Sequence, residues 1–297
     1  MADPRIEAVL SQINPKVKEV VAAKTNTATE HVEGSLKCSV QSPGTLKIEK
    51  DILPELDIQV KGDLIVGGSI GDSTLLVFGD VRCAGKILGG PKGRIIVHGE
   101  LSASDIQNAS IECGKSVQIR SSVLDSIVKC KQTIYVGLSI VGGEVLATHG
   151  ICAGTIGNDS QKETRVGTGI DFKLKILLDE MNLEIAAVTA KVAQIRASVD
   201  NLENRHKNTY SGLPYYQKKL LESSAASLER LEKQVGGLSE RRIKLESKIE
   251  KITGSFIEVK ERIFPNTFFS IQNRYLLTKK EYPAGRYTIR NDKIIKL

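Results

Sequence analysis

The residues whose types could support chemistry are four histidines, five cysteines and a carboxylate that recurs after glycine. His98 and His149 flank the glycines of two repeats, while His31 and His206 stand alone. None has an orienting carboxylate or a second ligand at motif spacing, so turn or surface roles are expected rather than general-base or metal chemistry. Asp63, Asp80 and Glu100 each follow a glycine and could line one edge as an acidic ladder, the arrangement a metal-assisted polysaccharide lyase needs. A turn-forming polar residue explains them more simply. Five cysteines without a C-x-x-C pair suit a reducing compartment, and Cys113 and Cys130, at matching points of neighbouring repeats, are expected to be small buried residues. Gly67-Gly68, Gly89-Gly90 and Gly142-Gly143 open no helix and so fit neither a phosphate loop nor a dinucleotide fingerprint. The sequence therefore assigns no catalytic, cofactor-binding or metal residue, and a non-enzyme is expected.

Two clusters are better suited to binding. Arg205, His206, Lys207, Tyr210, Tyr215 and Tyr216 gather cations and aromatics in one short stretch, and tyrosine and arginine are enriched at binding hot spots. From Glu261 to Leu297, eight Lys/Arg face three Asp/Glu, with Tyr275, Tyr282 and Tyr287 interleaved. That pattern could stack and neutralise a nucleic acid. Ordinary strand residues and a basic edge that resists strand-to-strand aggregation are the preferred reading, so nucleic acid is disfavoured.

The elements that position these clusters follow from periodicity. Leu174, Leu178, Met181, Ile185, Val188, Val192, Ile195, Val199 and Leu202 step four, three, four, three, as do Leu221, Ser224, Leu228, Leu231, Val235, Leu238, Arg242, Leu245, Ile249 and Ile252. Such stripes are buried by pairing with one another, which predicts a coiled coil. The short join from Asn204 to Tyr215 makes the helices antiparallel neighbours, and each reaches roughly 50 Å at about 1.5 Å per residue. Ser224 and Arg242 interrupt the apolar stripe and could set register. Gly236-Gly237 in mid-helix suggests a hinge or a close backbone approach.

Before this arm, Gly62-Asp63-Leu64, Gly79-Asp80-Val81 and Gly99-Glu100-Leu101 mark a repeat of about 17 residues, with looser copies at Gly114, Lys131 and Gly150. Short β-branched alternations such as Ile58-Gln59-Val60 and Ile95-Ile96-Val97 are strands, and strands at fixed period predict a solenoid with glycine at bends of positive φ. Scarce aromatics, 4% with no tryptophan, fit layers of aliphatic side chains. The expected division is an irregular segment or cap over 1–50, β-helix repeats over 51–170, the hairpin over 171–254, and returning strands over 255–297. No apolar run approaches the roughly 18 residues of a membrane span, and Met1-Ala2-Asp3-Pro4 opens no signal peptide, so a cytoplasmic location is expected.

The Gly-Asp-aliphatic anchors, Ile140-Val141-Gly142-Gly143-Glu144-Val145, Thr155-Ile156-Gly157-Asn158 and Thr164-Arg165-Val166-Gly167 lead directly into the hairpin. After it come Phe256-Ile257-Glu258-Val259 and Ile263-Phe264-Pro265-Asn266-Thr267. This order resembles the flagellar assembly protein A family, formerly a domain of unknown function. The resemblance implies a right-handed β-helix interrupted by a coiled-coil hairpin, akin to the β-helix of bactofilins, in a bacterial protein. It transfers no catalytic residues. The function expected is a scaffold or adaptor recruiting a protein partner through the arm, with a homo-oligomer allowed. The alternatives are a bactofilin-like self-assembling element and a carbohydrate- or nucleic-acid-binding module.

Overall fold

The computed structural model describes residues 29–206, 215–250, 252–272, 274–291 and 293–297. The chain winds as a parallel β-solenoid of about eight turns, interrupted by two long helices and closed by returning strands. Each coil contributes to three ladders. The first stacks Thr29–Val32, Thr45–Ile48, Leu64–Val66, Val81–Cys83, Leu101–Ala103, Val117–Ile119, Thr133–Val136, Gly150–Ile156 and Phe256–Ile263, all in parallel. The third runs from Val40–Ser42 through Asp57–Val60, Thr74–Val77 and Ile95–Val97 to Thr164–Thr168 and Thr267–Ile271. Between them lies a narrow second ladder, Leu36, Ile52, Ile70, Ile87, Ile106, Val123, Ile140, Ile156 and Ile263. In its first four coils this ladder is a single bridging residue wide, and every member is buried. Burying each such side chain contributes about 1.5–3 kcal/mol, so aliphatic stacks supply the core that scarce aromatics cannot. Coils extend on the N-terminal side of Asp51 as far as Thr29, and Thr29–Val32 lies in register on Thr45–Ile48.

Glycine at the anchor corner serves a purpose other than the expected positive φ. Gly62, Gly79 and Gly99 are absent from the left-handed region, which Asn108, Asp125 and Gly142 occupy at the corner between the second and third ladders. A Cβ on Gly99 would lie 2.2 Å from Asp80 Oδ1 and 2.5 Å from the Gly79 carbonyl oxygen, so these glycines permit neighbouring coils to touch. The aspartates that follow Gly62 and Gly79 cap the next coil. Asp63 Oδ1 accepts the Asp80 N–H at 2.8 Å, and Asp80 Oδ1 accepts the Glu100 N–H at 2.9 Å. Asp63 and Asp80 are thus structural, satisfying corner N–H groups of the next coil, whereas the Glu100 carboxylate makes no such bond among the described residues. Pro91-Lys92-Gly93 loops outward without breaking register, since Leu75 still pairs with Ile95, and Lys92 Nζ reaches Glu55 at 3.1 Å.

The C-terminal end is closed by a reversal of direction. Arg274–Leu277 runs antiparallel to Thr267–Ile271, Tyr282–Arg290 antiparallel to Phe256–Ile263, and Lys293–Lys296 antiparallel to Tyr282–Arg290. Tyr287 is buried under this cap, edge-on to Phe269 at 5.3 Å, and its hydroxyl donates to the Pro283 carbonyl at 2.6 Å.

Candidate interaction site

The arm leaves the solenoid at the glycine corner itself. Successive coils repeat one bond there, Gly114 N to Val97 O at 2.7 Å, Lys131 N to Cys113 O at 3.2 Å and Thr148 N to Cys130 O at 3.2 Å, and at the arm's root it shifts by one residue to Gly169 N and Thr148 O at 3.0 Å. The chain then departs and returns so that Phe256 N donates to His149 O at 3.1 Å. Residues 170–254 therefore replace a short turn; the returning strand resumes its pairing from Gly150↔Phe256 to Ala153↔Val259, and the register shifts only beyond Ala153, before Thr155↔Arg262.

Helix α1 spans Phe172–His206 and α2 spans Tyr215–Glu250, about 52 Å each at about 1.5 Å per residue. Asp171 Oδ1 accepts the Leu174 N–H at 3.3 Å and caps α1. The stripe positions from Leu174 to Val199 and from Leu221 to Ile249 are buried or half-buried, with Met181, Val188, Val192 and Leu238 the deepest. Most positions between them are exposed. Arg196 bridges to Glu232 at 2.5 Å across the helices. Both ends of the hairpin meet the solenoid: Gln272 Nε2 donates to the Ile252 carbonyl at 2.8 Å, and Phe172 is buried beside Ile170 and Leu146 at the arm's root. Antiparallel packing follows from these contacts. Half-buried Ser224 borders a shallow, solvent-open depression beside the seam together with Ile195, Ser198 and Leu231, whereas Arg242 stays on the stripe with its Nε 3.6 Å from Glu246. A Cβ at Gly236 or Gly237 would meet nothing within 4 Å, so no close approach among the described residues accounts for them.

Tyr215 and Tyr216 lie at the end of α2 remote from the solenoid and are 82% and 67% exposed. Arg205 and His206 belong to the last turn of α1, their side chains outside the description, and Lys207 and Tyr210 lie outside the described residues. The three C-terminal tyrosines form no common platform. Tyr287 is core, Tyr282 is half-buried, and Tyr275 is exposed and stacked on Phe268 at 5.6 Å.

The other candidate groups are dispersed. His31 lies 3.6 Å from Glu49, His98 stacks on Phe78 at 4.8 Å, and His149 Nδ1 lies 3.2 Å from the Lys131 carbonyl. Cys113 and Cys130 are register partners on adjacent coils, and burial pushes their thiols up to about 11 and about 12. No group of three or more His, Cys, Asp or Glu among the described residues could hold a metal ion.

The described residues thus form a stack of parallel coils from which one pair of long helices departs and returns. A family model described as the Flagellar Assembly Protein A beta solenoid domain matches residues 29–294, and the chain belongs to this family. No curated protein and no solved structure matches it. No described helix is long and apolar enough to cross a membrane.

Proposed function

We propose that this protein is a non-enzymatic scaffold or adaptor of flagellar assembly, acting in the bacterial cytoplasm. The solenoid is its rigid body, and the coiled-coil arm recruits a protein partner. The observation that carries this reading is the arm's insertion point. A pair of 35- and 36-residue helices joins the rod at a corner where the returning strand pairs at once with the coil below, Gly150 with Phe256 through Ala153 with Val259, so the arm adds reach and leaves the core intact. Such an element contributes little to the solenoid's core and presents exposed Tyr215 and Tyr216 at its far end. Family membership supplies the flagellar context.

Replacing Arg205, Tyr210, Tyr215 and Tyr216 with alanine should abolish partner capture while far-ultraviolet circular dichroism stays unchanged. Undiminished capture by that variant would sink the assignment of the tip. Self-assembly through stacked ends is the weaker reading. The C-terminal cap sets antiparallel strands bearing Arg290, Lys293 and Lys296 over the last coil, and charged edge strands discourage further pairing. Sedimentation velocity over a wide concentration range separates the two: growth into large particles would favour the polymer.

A further inference from the structure

The outer surface of the first ladder holds a feature that the arm does not use. Two depressions, of about 820 and 420 Å³, share Gln118 and Arg120 and form one trough along the solenoid axis. Its outward row climbs from Ile65 through Arg82, Ser102, Gln118, Tyr135 and Cys152 to Glu258. Six inter-strand steps of about 4.8 Å give a length of roughly 29 Å.

The charges along this trough differ from those on the third ladder. There, cations are matched coil by coil, Arg94 with Glu112 and Lys129 with Glu144. In the trough, Arg82, Arg120 and Lys260 have no carboxylate within 4 Å among the described residues. Arg120 is held in place all the same, because its guanidinium donates to the Ala84 carbonyl two coils away. Arg286 is likewise held, stacked at 3.7 Å over Phe256, which forms part of the floor.

We propose that this trough binds an extended acidic peptide segment of a protein partner, its carboxylates paired with Arg82, Arg120 and Lys260. Guanidinium groups match carboxylates in forked geometry, and Arg120, fixed beforehand on the Ala84 carbonyl, loses little freedom on pairing. The half-exposed Tyr135 and Phe256 offer apolar seats between the charges. A uniform polyanion fits less well. Glu258 lies in the trough and Glu100 borders it, which repels a continuous phosphate or uronate chain, and two aromatics give few stacking platforms for bases. Backbone pairing is also closed to the ligand, because the strands beneath are hydrogen-bonded on both sides within the stack.

The test uses fluorescein-labelled peptides of about nine residues, enough to span the trough at about 3.3 Å per residue. They carry glutamates at varied spacing in an aliphatic background and are compared with lysine counterparts, oligogalacturonate and single-stranded DNA by fluorescence anisotropy on the full chain. Acidic peptides should bind and lysine counterparts should not. The double variant Arg82→Gln/Arg120→Gln should weaken binding at least about tenfold, and added salt should weaken it further. Arg94→Gln, on the third ladder, should leave it unchanged. The proposal is overturned by the absence of binding for every acidic peptide, by undiminished binding to the double variant, or by tighter binding of oligogalacturonate or DNA.

Discussion

Replacing Gly79 with alanine tests the physical reason for the repeat. The new Cβ would lie 2.2 Å from Asp63 Oδ1 and 2.6 Å from the Gly62 carbonyl oxygen. The carboxylate can swing aside only by releasing the Asp80 N–H it now accepts at 2.8 Å. The carbonyl cannot move freely, because it accepts the Gly79 N–H at 3.0 Å and belongs to the coil below. Overpacking costs about 1–3 kcal/mol, and a lost hydrogen bond to a charged group about 1.5–3 kcal/mol. Because Asp63 is only half-buried, the lower ends apply, for a total of about 2.5 kcal/mol. Solenoids unfold by neighbouring units, so the reading belongs at the site. Hydrogen exchange followed by mass spectrometry should show amides of 58–83 exchanging roughly 60-fold faster, at about 1.4 kcal/mol per tenfold. In an Asp63→Ala background the same change should cost less, since its nearest obstacle is gone. Exchange rates within about twofold of the parent protein would refute close coil contact as the reason for glycine.

The arm should respond in the opposite sense. Gly236→Ala and Gly237→Ala place a methyl where nothing lies within 4 Å and should each raise helix stability by about 1 kcal/mol, read as a higher midpoint in thermal circular dichroism. Ser224→Leu should extend the apolar stripe over the open depression beside Ile195 and Leu231 and stabilise the hairpin by about 1 kcal/mol; a destabilised arm would show that the seam is packed otherwise. Thiol labelling of the native protein should be rapid at the exposed Cys38 and negligible at Cys83, Cys113 and Cys130 until the coils unfold. Burial pushes those three thiols up to about 11, 11 and 12 from an ordinary value of 9.0, so their contribution is intact below pH 9. The unfolded chain sheds these protons first, and stability should fall as pH rises from 9 through 11 to 12. Cys113→Ser should flatten part of that fall in alkaline denaturation curves.

Local pattern explains which parts of this architecture were legible. The helical stripes were readable residue by residue, because side chains at seven-residue spacing share a face whatever surrounds them: Met181, Val188 and Val192 are among the deepest residues of the arm. The anchors at Gly62, Gly79 and Gly99 gave the period, but the reason for glycine was hidden, because the obstructing atoms belong to another coil 17 to 20 residues away. The start of the second ladder, Leu36, Ile52 and Ile70, escaped notice, since one bridging residue per coil makes no alternation. At the candidate site, the exposed Tyr215 and Tyr216 were found from composition. The root of the arm, with Phe172 and Gln272, depends on long-range contacts, and Phe172 differs from the stripe only in being an apolar residue two positions ahead of it. The trough was invisible for the same reason: Arg82, Arg120 and Lys260 come from separate coils with no shared spacing.

The most direct measurement is partner capture by the chain with residues 170–254 replaced by a short glycine-serine turn, beside the intact protein and with circular dichroism on both. The account requires an armless solenoid that retains its β signal and cooperative melting, because Gly169 and Phe256 already sit at adjacent corner positions, and that loses partner capture. An armless chain that folds and captures partner as before would contradict it.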